Sequence, residues 1–150
     1  MAKPAENTYR LSVRRRIPAP PEVVYEAWIE PQGIREWMCP GDVLSAEAFL
    51  DVRVGGSYRI VMKAKDRDHV HTGVYQVVEP PSKLVFTWSE EGNPAPSLVT
   101  VEIFGHGGES ELVLTHERFP TIDIMKRYEG GWGQIVDRFA RYVAREWSTT

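Results

Sequence analysis

Four histidines are the residues of this sequence that are best suited to acid–base or metal chemistry. His69 and His71 are one residue apart, so in a strand their side chains share a face and could chelate a metal if a third ligand came from elsewhere. No HExxH motif, paired-cysteine motif or compact carboxylate cluster accompanies them. The preferred interpretation is a solvated strand end near a turn, and we predict no metal and no other cofactor.

His116 is the best candidate for general acid–base catalysis. It continues the apolar alternation of residues 112–114, which predicts a side chain directed into the interior. The hydroxyl groups of Tyr58 and Tyr75 could donate hydrogen bonds nearby. No catalytic triad is recognisable, and Cys39 has no evident basic partner that would stabilise a thiolate, so we predict a buried, inert thiol. Catalysis is therefore the less favoured alternative, and no residue is assigned a catalytic role.

Alternating residues predict an apolar and aromatic surface on one face of a sheet. The stretches "YRIVM", "GVY", "LVFTW" and "LVLTH" each direct every second side chain to the same side. Such a surface with a few polar tips is typical of a small-molecule pocket, although the same side chains could simply pack against a helix. The predicted ligand-binding residues are Trp37, Tyr58, Tyr75, Phe86, Trp88, His116, Met125 and Trp132.

Three glycines, Gly130, Gly131 and Gly133, surround Trp132 in an otherwise helical stretch. Each glycine costs a helix about 1 kcal/mol relative to alanine, so their clustering needs a reason. A helix break or kink, close backbone packing, and space kept free beside a sheet are the alternatives that the sequence leaves open.

The hydrophobic periodicity predicts an α+β fold. A first strand in "TYRLSVRRRI" precedes two short helices. The first helix lies in "PAPPEVVYEAWIE", and the second lies in "GIREWM", after a break at Pro31 and Gly33. Strands then follow one another from residue 43 to about 117, with Gly-Gly, Pro-Pro-Ser and Gly-Asn-Pro among their turns. Connections this short force antiparallel pairing. Beyond Pro120 the apolar spacing is helical, so a curved sheet of about seven strands must cover one long C-terminal helix.

Composition places the chain among ordinary soluble domains. Its 150 residues predict a single domain, 1–150, and the net charge of -3 gives no electrostatic case for binding nucleic acid. The basic residues 14–16 are interpreted as the solvated face and end of a strand. One cysteine, no apolar run near the ~20 residues of a membrane span, and no signal-peptide core predict a cytoplasmic protein.

The order of elements resembles the helix-grip fold of the START and birch-pollen-allergen (SRPBCC) superfamily. More specifically, the sequence is similar to the branch related to the activator of heat-shock-protein-90 ATPase. The motifs that carry the resemblance are "IPAPPEVVYEAWIEP", "EWMCP", "VGGSYRI", "HTGVYQVVEPPSKLVFTW" and "YEGGWGQIVDRFARYV". Met38 and Cys39 depart from the aromatic or small residues usual at that point, which leaves the shape of one cavity edge open.

The resemblance implies a deep cavity between the sheet and the long helix. We therefore expect binding of a hydrophobic small molecule or lipid-like metabolite. Two alternatives stay open because one fold serves many functions. One is a stress-related, co-chaperone-like interaction module whose partner is a chaperone or another protein. The other is a cyclase- or hydrolase-like enzyme that uses a histidine or tyrosine of the cavity. The oligomeric state is also open, with a homodimer as one alternative.

Overall fold

A seven-stranded antiparallel sheet and three helices make up the protein in a computed structural model, which describes residues 9–91 and 96–148. The strands are β1 (Tyr9–Ile17), β2 (Val43–Leu50), β3 (Ser57–Ala64), β4 (Asp68–Glu79), β5 (Lys83–Glu90), β6 (Ser97–His106) and β7 (Glu109–Phe119). The helices are α1 (Pro21–Ile29), α2 (Pro31–Trp37) and α3 (Ile122–Ser148). The predicted Gly-Asn-Pro turn lies at residues 92–94, outside the described residues.

The strand order is β1-β7-β6-β5-β4-β3-β2, so β1 and β2 form the two edges. Helices α1 and α2 connect these edges, and α3 packs against β1 and α2. The buried stripe of α3 consists of Trp132, Ile135, Val136, Phe139 and Val143. The sheet and the helix thus cover each other's apolar faces, and the predicted α+β helix-grip fold is confirmed. Over the described residues, no helix combines the length and apolarity of a membrane span.

Both short helices begin at a proline, whose fixed φ suits a first turn and whose missing N–H would have no partner there. The second helix begins at Pro31 rather than after Gly33, so the predicted break is shorter than expected. A Cβ atom at Gly33 would lie 2.9 Å from the Tyr142 hydroxyl oxygen. Gly33 therefore belongs to the helix and allows α2 to pack closely against α3.

The basic residues 14–16 lie along β1 and pair with carboxylates. The pairs are Arg14–Glu111 at 3.1 Å, Arg15–Asp137 at 2.6 Å and Arg16–Glu109 at 3.4 Å. Because all three pairs are solvent-exposed, each contributes at most about 1 kcal/mol to stability. The pairing confirms a solvated strand face, and the Arg15 pair also connects β1 to α3.

The β4–β5 hairpin contains a register shift between Tyr75 and Val77. A bulge of this kind reverses which side chains face the core. Strict alternation would place Val77 on the same face as Gly73 and Tyr75, but Val78 packs against the core instead, so the alternation ends at the bulge.

Gly73 is a position where the fold requires the absence of a side chain. A Cβ atom there would overlap the Thr87 carbonyl oxygen and the Tyr58 ring. We expect Gly73→Ala to lower the free energy of unfolding by about 3 kcal/mol or more, because backbone must move to relieve the overlap. Chemical denaturation measures the change. Gly133→Ala is the control, since a Cβ atom at Gly133 meets no atom within 4 Å. Equal stability of the two variants would contradict this account of the hairpin.

Candidate functional site

A cavity of about 420 Å³ lies between α3 and strands β3–β5. We call it the helix–sheet cavity. Apolar side chains form its walls, and they include Met62, Trp88, Trp132 and Ile135. Its volume lies within the roughly 300–1,000 Å³ that is typical of small-molecule sites. Sheet and helix each supply one face of this space, as the sequence resemblance implied.

Trp88 from β5 and Trp132 from α3 meet at the cavity wall, with ring centroids 5.2 Å apart at an interplanar angle of 57°. Both side chains are almost fully buried. The two indoles are large, rigid apolar groups, and contact with them costs a ligand site little side-chain entropy. They therefore give the helix–sheet cavity an aromatic character.

A chain of hydrogen bonds fixes these two tryptophans. The Trp132 indole N–H donates to Nδ1 of His116 at 2.9 Å, so the neutral ring carries its proton on Nε2. That nitrogen then donates to Oγ of Ser97 at 2.6 Å, and Ser97 Oγ donates to the Trp88 carbonyl oxygen at 3.0 Å. Each donor along the chain has an acceptor, so the chain connects α3, β7, β6 and β5.

His116 is 0% exposed. Burial, together with the nearby His71, lowers the pKa of His116 to about 3, so the ring is neutral near pH 7. Both ring nitrogens are engaged in the hydrogen-bond chain. His116 could accept a substrate proton only by giving up one of these hydrogen bonds. Its role in this structure is to hold Trp132 and Ser97 in place.

His71 is a polar residue of the cavity wall. It is 5% exposed, and its ring stacks on Trp88 with centroids 4.5 Å apart. Its Nε2 lies 3.8 Å from a carboxylate oxygen of Glu90. Burial lowers the pKa of His71 to about 4, although Glu90 opposes the shift. The interpretation of the His69–His71 pair as a solvated strand end is therefore wrong for His71.

The same pair does not form a metal centre with other residues. Within 9–91 and 96–148, no group of three or more His, Cys, Asp or Glu residues is placed to hold a metal ion. His69 and His71 both line the helix–sheet cavity but have no third ligand in that part of the chain.

Two hydrogen bonds connect α3 to opposite walls of the cavity mouth. The Tyr128 hydroxyl donates to a carboxylate oxygen of Glu90 at 2.9 Å, and the Gly41 N–H donates to the Gln134 side-chain oxygen at 2.6 Å. Burial first, and then the charge of Glu90, raise the pKa of the Tyr128 phenol, so it stays protonated and donates. These bonds fix the width of the mouth in this structure.

The glycines of α3 leave open space. The helix is continuous through them, so a helix break is excluded among the alternatives that the sequence leaves open. Gly130 and Gly131 line the cavity, and a Cβ atom at Gly131 would lie 3.8 Å from Cβ of Pro40 on the opposite wall. Space kept free beside the sheet is the alternative that this arrangement supports.

The structure brings together only some of the eight predicted ligand-binding residues. Trp88 and Trp132 line the helix–sheet cavity, and His116 lies one hydrogen bond behind Trp132. Tyr58, Tyr75 and Phe86 form an aromatic cluster whose ring centroids are 5.5–6.0 Å apart. They belong to the core beside Trp88 and do not line this cavity.

Trp37 and Met125 lie elsewhere. Trp37 packs against Trp28 and Phe139 with centroid distances of 4.7 and 4.8 Å, and Met125 is half-buried in the first turns of α3. Ligand contact by these two residues, as by the aromatic cluster, stays a prediction.

Met38 and Cys39 are buried in the core, and the next residue, Pro40, is the one that reaches the cavity. The Cys39 thiol donates to the Arg35 carbonyl oxygen at 3.5 Å. Burial raises the pKa of this thiol, which disfavours the reactive thiolate. The motif therefore positions one cavity wall through Pro40.

Sequence reasoning missed His71, Glu90 and Gln134 as cavity residues. One signal could have identified His71, because it shares the inward face of β4 with Gly73 and Tyr75 at two-residue spacing. Glu90 follows from Trp88 in the same way on β5. No comparable signal marks Gln134, since the angular position of α3 over the sheet decides its direction.

A larger groove of about 800 Å³ lies on the sheet face away from α3. Outward side chains such as Arg59, Thr72 and Thr87 line it, and it is open to solvent. The helix–sheet cavity is also open on one side, but buried aromatic side chains of both the sheet and α3 line it, so it is the better candidate site.

Solved structures with the same fold support the architecture. An AHSA1-like protein from Aeromonas hydrophila is 25% identical, with a TM-score of 0.78 over 92% of this chain and 94% of that chain. Protein CV1439 from Chromobacterium violaceum is 23% identical, with a TM-score of 0.79 over 89% and 96% of the two chains.

DynU16, a protein of the dynemicin biosynthetic locus, is 23% identical, with a TM-score of 0.76 over 90% of this chain and 47% of its own. A comparison with curated protein sequences found no significant match.

The sequence profile of the family described as "Activator of Hsp90 ATPase homolog 1-like protein" matches residues 18–144. The match runs from the end of β1 into the last turns of α3 and so includes every residue described above for the helix–sheet cavity. The chain belongs to the Activator of Hsp90 ATPase homolog 1-like family.

Proposed function

We propose that this protein binds a hydrophobic small molecule or lipid-like metabolite in the helix–sheet cavity. The observation that carries the proposal is the space of about 420 Å³ between Trp88 and the glycine-containing part of α3. A ligand of roughly 20 non-hydrogen atoms, at about 0.3 kcal/mol per atom, gains about 6 kcal/mol. That binding free energy corresponds to a dissociation constant of tens of micromolar.

Two features favour binding over catalysis. The nitrogens of His116 are both hydrogen-bonded, and the Cys39 thiol is buried with a raised pKa. The similarity to a protein of a biosynthetic locus is consistent with a small-molecule role. A chaperone partner, a stress-related role and a cytoplasmic location stay predictions from the sequence and the family.

Intrinsic tryptophan fluorescence tests the proposal. Titration with a set of apolar aromatic and aliphatic compounds should identify ligands that change the tryptophan emission until it saturates, because Trp88 and Trp132 line the cavity. The Trp88→Phe variant should lose much of this response. The Trp147→Phe variant should keep it, because Trp147 lies near the C-terminus of α3 and outside the cavity. No saturable change with any compound, together with only unliganded protein in native mass spectrometry, would refute the proposal.

A further inference from the structure

Two buried nitrogen atoms, in side chains that line the helix–sheet cavity, have unmet hydrogen-bonding capacity. They are Nδ1 of His71 and Nε1 of Trp88, and neither has a hydrogen-bond partner among the described residues. Both side chains line the cavity, and both are at least nine-tenths buried. A buried polar atom without a partner is costly, and a ligand that pairs it recovers that cost on binding.

The surroundings of His71 decide what its free nitrogen can do. The carboxylate of Glu90 lies 3.8 Å from Nε2, which favours the tautomer with the proton on that nitrogen. Burial lowers the pKa of His71 to about 4, so the ring is neutral near pH 7. Nδ1 is therefore a hydrogen-bond acceptor, and a ligand must bring a donor to it.

Trp88 requires a hydrogen-bond acceptor from the ligand, whereas His71 requires a donor. An indole nitrogen is only a donor, so a ligand must bring an acceptor to it. The Trp88 N–H lies near the Tyr128 hydroxyl and offsets part of the rise in the pKa of that phenol, but the indole nitrogen makes no hydrogen bond of ordinary geometry. The Tyr128 proton itself is already donated to Glu90. The cavity wall thus offers one acceptor and one donor on two stacked rings.

We infer that the ligand is a neutral aromatic molecule with a hydroxyl group, which donates to His71 and accepts from Trp88. This inference rests on the proposed function, since it specifies the ligand of the same cavity. A hydroxyl group is the smallest neutral group that both donates and accepts a hydrogen bond. A flat ring matches the indole walls of Trp88 and Trp132.

Charge at the cavity favours the neutral form of the ligand. Glu90 and Asp42 both line the cavity, and Arg127 is the only arginine or lysine that lines it within the part of the chain described. A ligand carboxylate would lie beside the Glu90 carboxylate and would have no proton to give to Nδ1 of His71. The arrangement therefore disfavours carboxylate ligands.

Calorimetric titration with naphthalene, 2-methoxynaphthalene, 2-naphthol and 2-naphthoate at neutral pH tests the inference. A cavity without polar recognition would bind naphthalene better than 2-naphthol, because burying an unpaired hydroxyl group is unfavourable. We expect the reverse, with 2-naphthol bound about ten-fold more tightly than naphthalene or the methoxy compound, and 2-naphthoate bound most weakly. This comparison uses the wild-type protein alone and needs no variant to fold.

The variant His71→Phe keeps a flat ring against Trp88 and removes the acceptor. Its preference for 2-naphthol should disappear while naphthalene binding persists. His106→Phe is the control, since this histidine lies at the end of β6 and does not line the cavity, and the variant should keep the preference.

Equal or weaker binding of 2-naphthol by the wild-type protein, or a preference that survives in His71→Phe, would overturn the inference and leave hydrophobic binding intact. Binding of none of the four compounds would overturn the inference and count against the proposed function as well.

Discussion

Replacing Gly131 by leucine should weaken ligand binding by about 10- to 100-fold, because the new side chain occupies the cavity. A Cβ atom at this position already lies 3.8 Å from Pro40 on the opposite wall. The three further carbon atoms of leucine must then extend into the remaining space. Overpacking of this kind costs about 1–3 kcal/mol, and a 10- to 100-fold loss of affinity, about 1.4–2.7 kcal/mol, lies within that range.

Stability should change in the opposite direction. Leucine favours the helical backbone over glycine by up to about 1 kcal/mol, so Gly131→Leu should remain folded. Gly133→Leu is the matched control, because it gains the same helix propensity at a position that does not line the cavity. Calorimetric titration of both variants with one ligand gives the comparison. Undiminished binding by Gly131→Leu would show that the ligand lies elsewhere.

Acidification should destabilise the protein steeply before most carboxylates are protonated. His71 and His116 are neutral in the folded protein, with pKa values lowered to about 4 and about 3 by burial. Unfolding returns both rings to a pKa near 6.5, so the unfolded state binds more protons below that pH. Their contribution to stability is therefore complete above pH 6.5 and is lost as the pH falls toward 4.

The expected slope between pH 6 and 4.5 is about 1.4 kcal/mol per pH unit for each histidine, or about 2.7 kcal/mol per pH unit for both together. Urea denaturation at a series of pH values measures the slope. In His71→Phe the slope should fall to about half, because one of the two titrating rings is gone. A flat stability profile over this range would mean that these histidines are protonated or exposed in the folded state.

Most of the fold could be predicted from the sequence, because hydrophobic periodicity is a property of each segment alone. The alternation that places Leu84, Phe86 and Trp88 on one face holds in the structure, where all three are buried. The apolar stripe of α3 is also as predicted. Alternation predicts the wrong face where a strand is irregular, as at the bulge before Val77. That bulge depends on how β4 pairs with β5, which the sequence of β4 alone does not show.

The candidate site was only partly predictable because its contacts join distant residues. Trp88 and Trp132 were identified from their aromatic character, but the hydrogen-bond chain through His116 and Ser97 depends on the register of β6 against β7. His71 was considered for metal binding because of its spacing from His69. Its burial arises from packing against Trp88 across two strands, which a single segment does not reveal.

The ligand of the proposed function lies in the helix–sheet cavity, beside the contacting rings of Trp88 and Trp132. The chain has five tryptophans, and a ¹H–¹⁵N NMR spectrum resolves their indole N–H signals individually. Single Trp→Phe variants assign each signal. With a saturating concentration of 2-naphthol or naphthalene, whichever binds more tightly, the signals of Trp88 and Trp132 should move most. Those of Trp28 and Trp37, which pack in a separate cluster with Phe139, should change little. Shifts confined to Trp28, Trp37 or Trp147, or no shift at any indole, would contradict the account.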